Sequence, residues 1–460
     1  AARLVALLFA TSPDANALRI ALAAPTGKAA ARLRQAIDGS MTGLVAKVGD
    51  DLPLQRLAER IGPARTLHAV LGTRRGSGHR SRRFRHDAAH PLDLDVLIVD
   101  EASMVHVEMM DALLAALPDT ALLVLIGDKD QLSSVEAGAV LGELCRDGVA
   151  GRYTDATVRY VERVSGQRIE VAEHGTPLAQ RTCVLRRSER FGGAIGRFAE
   201  AVNAGRVDAA RAEFATDGPL RLVDATHVDI AVDFAVRGYR RYLDAVLQSP
   251  ESLLGEDHDA WIVRVLDAFD RFRVLCALRE SEWGMSGLNR AIATRLENEA
   301  RSRVASRIAA PSDANRSEEW YAGRPVIVAR NDDDLRLFNG DVGIALPAYG
   351  AASLHDARLR VWFRDGDALR SVATGRLAEV ETAFAMTVHR AQGSEFDEVA
   401  LVLPPEAHRA VTRELIYTGA TRARTAFTVI AATGASLDEA IERTTRRSSG
   451  LAAMLAARDA

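Results

Sequence analysis

The sequence predicts an α/β protein built on parallel sheets, with a small all-β insertion in its second half. Three observations carry this. First, "LRIALAAP" (18–25), "LDVLIVDE" (94–101) and "ALLVLIGD" (121–128) are short apolar runs, each ending in a polar or Gly/Pro turn, as buried parallel strands do. Second, helical patterns follow two of them directly, "GKAAARLRQAI" and "VHVEMMDALLAAL", and strands alternating with helices build parallel sheets. Third, "GRPVIVARND" (323–332), "NGDVGIAL" (339–346) and "ARLRVWFRDG" (357–366) alternate and are punctuated by Asn-Gly, Asp-Gly and Pro, the pattern of a compact antiparallel barrel of about sixty residues.

Taken in order, the chain opens on "AARLVALLFATSP", where Leu4, Leu7 and Leu8 fall at helical spacing. A helix is favoured over a signal peptide based on Arg3 and the short apolar run. Residues 72–90, "GTRRGSGHRSRRFRHDAAH", interrupt the strand–helix regime with Gly, Arg and His. They read equally as a solvated hairpin or as a surface touching phosphates. From about 186 the chain is helical and richly charged, and 205–265 carries little beyond amphipathic helices. "RFRVLCALRE" (271–280) is a further buried strand, and after the barrel "VALVLP" (399–404) and "AFTVIAA" (426–432) resume the alternation. No run reaches the ~18 apolar residues that span a bilayer.

The 460 residues suggest about three domains. The net charge of −3 means that any nucleic-acid binding works through local patches rather than bulk attraction. Cys145, Cys183 and Cys276 are scattered and form no CxxC pair, which argues against a disulfide framework and a zinc site. His79, His86 and His90 have no carboxylate or thiolate partner at ligand spacing.

The residues that carry chemistry cluster at strand ends, where ligands of open α/β sheets bind. "APTGK" places Pro25, Thr26, Gly27 and Lys28 after the first strand, but a phosphate-cradling P-loop is excluded there. Leu22 stands where the first Gly is needed and Ala29 where the hydroxyl is needed. "VLIVDEAS" sets Asp100 and Glu101 at a strand tip, suited to holding Mg²⁺ through water and to activating a water for nucleotide hydrolysis; an acidic helix start is the plain alternative. Gln131 ends the next strand and is able to sense a γ-phosphate. Arg190 in "RRSERFGG" and Arg422 in "YTGATRAR" are guanidinium groups of the kind that stabilise transferring phosphate. "TVHRAQGSEFDEV" concentrates His389, Gln392, Gly393 and Glu395 in one polar loop.

In order, "APTGKAAARL", "TLHAVLG", "LDVLIVDEASMV", "LIGDKDQLSSVEAGAVL", "RSERFG", "RNDDDLRLFNGDVGIAL", "AMTVHRAQGSEFD" and "RELIYTGATRAR" resemble the superfamily 1 DNA helicases and, within them, the RecD family, the alpha subunits of bacterial exodeoxyribonuclease V. The resemblance runs from residue 1 to about 455. It implies two RecA-like motor lobes with an SH3-like insertion. The first lobe spans 1–185 and holds the 72–90 insertion; the second spans 186–320 and 379–460, with the barrel at 321–378.

It implies an ATP- and Mg²⁺-dependent helicase moving 5′→3′ on single-stranded DNA and opening duplex ends, with RecB- and RecC-like partner subunits, no membrane partner and a cytoplasmic location. Asp100 would be the Mg²⁺-linked acid, Glu101 the water activator, Gln131 the coupling residue, and Arg190 and Arg422 the arginine fingers. Gly393 and Glu395 would meet nucleotide or Mg²⁺. Pro25, Thr26, Gly27, Lys28, Thr66, His68, Asn331, Asn339, Thr387 and His389 would contact the strand.

The family's P-loop is expected upstream of Ala1, with an N-terminal domain that docks the partner. The expectation is therefore that these 460 residues alone hydrolyse ATP weakly or not at all. An RNA-directed helicase, a stand-alone superfamily 1 helicase and a non-catalytic DNA clamp are the alternatives.

Overall fold

The computed structural model describes residues 2–12, 17–48, 61–73, 84–133, 138, 140–185, 192–215, 218–305, 320–332, 334–351, 358–366, 368–445, 450–451 and 454. The chain divides into two compact units, Ala1–Arg187 with Arg446–Ala460, and Ser188–Thr445.

The first unit is a parallel sheet of β1 (Ile20–Ala24), β2 (Arg65–Thr66), β3 (Val96–Val99) and β4 (Leu122–Leu125), in the order β2-β1-β3-β4. Successive side chains of a strand point to opposite faces, and the core divides accordingly. Leu22, Val96 and Ile98 pack with Val5, Phe9, Leu33 and Ile37 from the helices Ala2–Thr11 and Gly27–Val48. Ala23, Leu97 and Val99 pack with Leu67, Leu71, Met109 and Leu113 from the helices Leu67–Leu71 and Val107–Ala116. A sheet covered on both faces has little place for polar residues within its strands, which is why β3 reads as an unbroken apolar run. The strand entries are tied by Arg19, whose Nε and Nη2 donate to the two carboxylate oxygens of Asp95 at 3.0 and 2.7 Å.

One expectation needs correction here. The run at 121–128 reads as a buried strand, yet Leu122 is 41% exposed and the rest of β4 is only half-buried. Among the described residues β4 is the outermost strand, with a neighbour on one side only.

The second unit holds two sheets. A parallel one has the order β12-β6-β13-β14-β5, from β5 (Leu220–Asp224), β6 (Phe272–Cys276), β12 (Ala385–Thr387), β13 (Phe396–Val402) and β14 (Ala423–Ala431). The other is antiparallel, order β10-β9-β8-β7-β11, from β7 (Arg324–Val328), β8 (Val342–Pro347), β9 (Leu359–Asp365), β10 (Ala368–Ala373) and β11 (Val380–Thr382). The sequence suggested three strands in the insertion and amphipathic helices alone across 205–265. The structure adds β10 and β11 to the insertion, and β5 to the parallel sheet.

The antiparallel sheet is not a free appendage. One of its faces has its own core of Val326, Val328, Val361, Phe363 and Val372. The other face delivers Ile344, Leu346 and Trp362 into the cluster of Trp261, Val265 and Phe269 that underlies the parallel sheet. The segment joining β11 to β12 is held residue by residue. Ala383 accepts from Arg273 Nη1 at 3.1 Å, the Phe384 carbonyl accepts from the Tyr239 hydroxyl, and Ala385 exchanges two 2.8 Å bonds with the Asn289 amide. Arg273 is fully buried, with its guanidinium 3.9 Å from the Phe269 ring centroid and 4.8 Å from that of Phe396. Among the described residues no helix is long and apolar enough to cross a membrane.

Candidate nucleotide and nucleic-acid sites

The acidic pair is placed by the sheet. The Asp100 N–H donates to the Ala23 carbonyl at 2.9 Å, so the chain is still in register with β1 when it reaches the first carboxylate. The Glu101 N–H then donates to Asp100 Oδ1 at 2.9 Å. Glu101 itself is left-handed, at φ 51° and ψ 39°, a conformation costing a non-glycine residue about 1 kcal/mol. It turns the chain sharply into the short 3₁₀ turn Ala102–Met104, which is fastened to the end of β4 by Ala102 N–H donating to Ile126 at 2.9 Å. Gly127 lets the two segments come this close. A Cβ there would lie 3.0 Å from the Ala102 nitrogen and 3.1 Å from that of Ser103.

Gln131 is brought to the same corner. Its Nε2 donates to Asp128 Oδ2 at 3.1 Å, and Asp128 Oδ1 accepts from the Asp130 N–H at 3.0 Å. Gln131 and Ser103 are both buried, and among the described residues Gln131 Oε1 and Ser103 Oγ have no hydrogen-bond partner. Buried polar atoms are nearly always paired, so two orphaned ones on the segments that follow the paired strands β3 and β4 suit a site completed by water and a charged ligand. No group of three or more His, Cys, Asp and Glu able to hold a metal occurs among the described residues. A single acid acting through water, as Asp100 is expected to do with Mg²⁺, fits this donor set.

Of the residues expected to contact the strand from the first unit, Thr26 and Thr66 are helix caps. Pro25 favours extended backbone at Ala24, and Thr26 then starts the helix Gly27–Val48, with its Oγ1 accepting from the Ala29 N–H at 3.2 Å. Thr66 does the same for Leu67–Leu71, accepting from the Ala69 N–H at 3.2 Å. Ala24 and Thr66 are register partners, so the two caps lie at the ends of adjacent strands. A capping hydroxyl uses a lone pair and keeps its proton, which leaves both threonines able to donate to a phosphate. Lys28 sits half-buried in the first turn of the helix it shares with Gly27. The His68 ring lies 6.0 Å from that of Phe84. Most of the arginine-rich insertion, residues 74–83, lies outside the described residues, as does Arg190.

In the second unit, Thr387 closes β12 and its Oγ1 accepts from the Arg390 N–H at 3.4 Å. The loop carrying His389 is tightened by Gln392 N–H donating to the His389 carbonyl at 3.2 Å and Ser394 N–H to that of Ala391 at 2.9 Å. Gly393 takes φ 69°, which a side chain would strain.

The structure brings this loop together with Arg422. That guanidinium is buried and donates to the carbonyls of Ser394 at 3.3 Å and Thr418 at 3.2 Å, and to Thr421 Oγ1 at 3.4 Å. Those three acceptors are neutral. Glu395 is paired with Arg424 at 3.2 Å. Sequence reading did not single out Arg424 or Ser103. The Arg424 pairing follows from the β13–β14 register, which sets Phe396 against Ala423, and nothing local in the sequence announces it. In the antiparallel sheet Asn331 and Asn339 meet directly, the Asn339 N–H donating to Asn331 Oδ1 at 2.8 Å across the β7–β8 hairpin.

Two family models match the chain: an AAA domain over residues 3–137 and a UvrD-like helicase C-terminal domain over residues 382–430. The class they define is that of the superfamily 1 helicases. The RecBCD enzyme subunit RecD of Mycolicibacterium smegmatis is 38% identical over 456 residues, covering 98% of this chain and 69% of its own. The RecD subunit of Haemophilus influenzae is 33% identical, covering 95% and 65%. The ATP-dependent RecD2 DNA helicase of Deinococcus radiodurans is 29% identical, covering 89% and 42%. The chain belongs to the RecD family. It spans about two thirds of the length of the RecD subunits it matches.

Proposed function

We propose that the chain is the ATP-driven motor subunit of a RecBCD-type helicase–nuclease. It moves 5′→3′ along single-stranded DNA and opens duplex ends during double-strand-break repair, in the cytoplasm and alongside RecB- and RecC-like subunits. The observation that carries this reading is the acidic corner of the first unit. There a left-handed Glu101 follows Asp100 at a strand tip, and Ser103 Oγ and Gln131 Oε1, on the segments that follow the paired strands β3 and β4, are buried and unsatisfied. A structural helix start does not require that geometry.

In this reading Asp100 holds Mg²⁺ through water, and the ion, when bound, neutralises phosphate charge. Glu101 orients a water and takes its proton. Gln131 presents its amide to the γ-phosphate, already steadied by Asp128. Arg422 stabilises charge that develops on the transferring phosphoryl group, a role proposed for Arg190 as well. Gly393 lets the loop backbone approach the nucleotide, and Glu395, fixed by Arg424, contacts it. The two capping threonines with Pro25, Gly27, Lys28 and His68 hold one stretch of DNA backbone. Thr387, His389, Asn331 and Asn339 hold another.

The test is the full-length subunit assembled with its partners. The Glu101→Gln variant is expected to lose DNA-stimulated ATP hydrolysis by about a hundredfold or more while binding single strands normally. The wild-type subunit is expected to displace streptavidin from the 3′ end of an oligonucleotide and not from the 5′ end. Wild-type turnover in Glu101→Gln, or displacement from the 5′ end, overturns the reading.

A further inference from the structure

The side chain of Glu381 on β11 is gripped from two sides. Its Oε1 accepts from Arg279 Nη2 at 2.6 Å, and its Oε2 accepts from Arg390 Nη1. Arg279 follows the end of β6, and Arg390 is the residue after His389 in the loop that leaves β12. Glu381 and Arg390 are only 26% and 20% exposed, so this pair is better shielded from solvent than an ordinary surface bridge. Arg390 Nη1 also rests 4.0 Å from Met285 Sδ. On the other side, β11 pairs with β7, Glu381 opposite Ile327, and β7 leads directly into the Asn331–Asn339 hairpin.

One carboxylate therefore stands between two groups of proposed strand contacts, Thr387 and His389 on the parallel sheet and Asn331 and Asn339 on the antiparallel one. The backbone path between them is already immobilised at Ala383, Phe384 and Ala385. The loop after Thr387 has backbone bonds of its own, from Val388 N–H to the Cys276 carbonyl and from Gln392 N–H to that of His389, and the Arg390 side chain adds a tie from this loop to β11.

We propose that Glu381 is a positioning residue for single-strand binding: by fixing Arg390, it sets the His389 loop against the antiparallel sheet so that both groups of contacts meet one strand in register. The proposal rests on the DNA-binding reading above. It also has a sign that simple electrostatics does not share. Removing a negative charge near a polyanion's path favours binding, whereas losing a positioning residue weakens it.

The experiment is fluorescence anisotropy with labelled dT20 on the full-length protein in its complex, with a thermal melt of each variant. Glu381→Gln is expected to weaken dT20 binding about fivefold, and Glu381→Asp, which keeps the charge, to recover to within about twofold. In a double-mutant cycle, Glu381→Gln is expected to cost little more once His389→Ala is present, because both act through one loop. Unchanged or tighter binding by Glu381→Gln overturns the proposal. So does a loss that adds fully to that of His389→Ala, or one that tracks a lowered melting temperature and is not recovered by Glu381→Asp. If the wild-type protein fails to bind dT20, the DNA-binding reading itself falls, and the inference with it.

Discussion

At the scale of single residues, burial decides which groups are legible and which titrate late. Asp100 and Glu101 stand out in the sequence because charge follows four apolar residues without a break. Glu395 and Arg424 do not, because their pairing depends on which strands lie side by side. Cys276 and Tyr239 are invisible as ionisable groups until the core is seen. Burial pushes the Cys276 thiol from 9.0 up to about 12, and the Tyr239 phenol from 10.0 up to about 12. Both folded-state values exceed the unfolded ones, so folding favours the protonated forms. That stability is complete below about pH 9 and is lost as pH rises toward about 12. Urea midpoints are therefore expected to fall between pH 8.5 and 10.5, figures chosen about the thiol's ordinary range, and Cys276→Ala is expected to flatten the early part of the fall.

At the scale of elements, full burial again separates what was readable from what was not. β3 and β6 are buried at every position; β3 reads as an unbroken apolar run, and β6 does so apart from Arg273. β5 has one buried residue in five, and β11 and β12 have three residues each, too few for any period to show. Helix starts were readable only as turn residues, yet they carry a definite energy. Thr66 caps a helix of five residues, which has little cooperative length to compensate for a lost cap. Thr66→Ala is expected to destabilise the first unit by about 1 kcal/mol and Thr66→Ser to restore most of it, as read from denaturant unfolding followed by circular dichroism.

At the scale of the whole molecule, the sequence showed a β insertion within the second of two α/β regions, but not how firmly the insertion is attached. Trp362, Ile344 and Leu346 alternate with the insertion's own core residues, and a period-two pattern does not say which face meets what. The attachment is firm because Ile344, Leu346 and Trp362 share a core with Trp261 and because Arg273, Tyr239 and Asn289 each claim one residue of 383–385. That makes this short stretch intolerant of any change in length. One added residue would turn every following side chain of β12 to the opposite face and move Phe384 out of the core it shares with Tyr239 and Phe269. The turn between Asp365 at the end of β9 and Ala368 at the start of β10 is less constrained, because a Cβ on its Gly366 meets no heavy atom within 4 Å. A single alanine inserted after Ala383 is expected to abolish soluble expression, and one inserted after Gly366 to leave expression and melting temperature near wild type. A lineage that reshapes this insertion is therefore free to extend its outer loops but has to keep the exit at constant spacing.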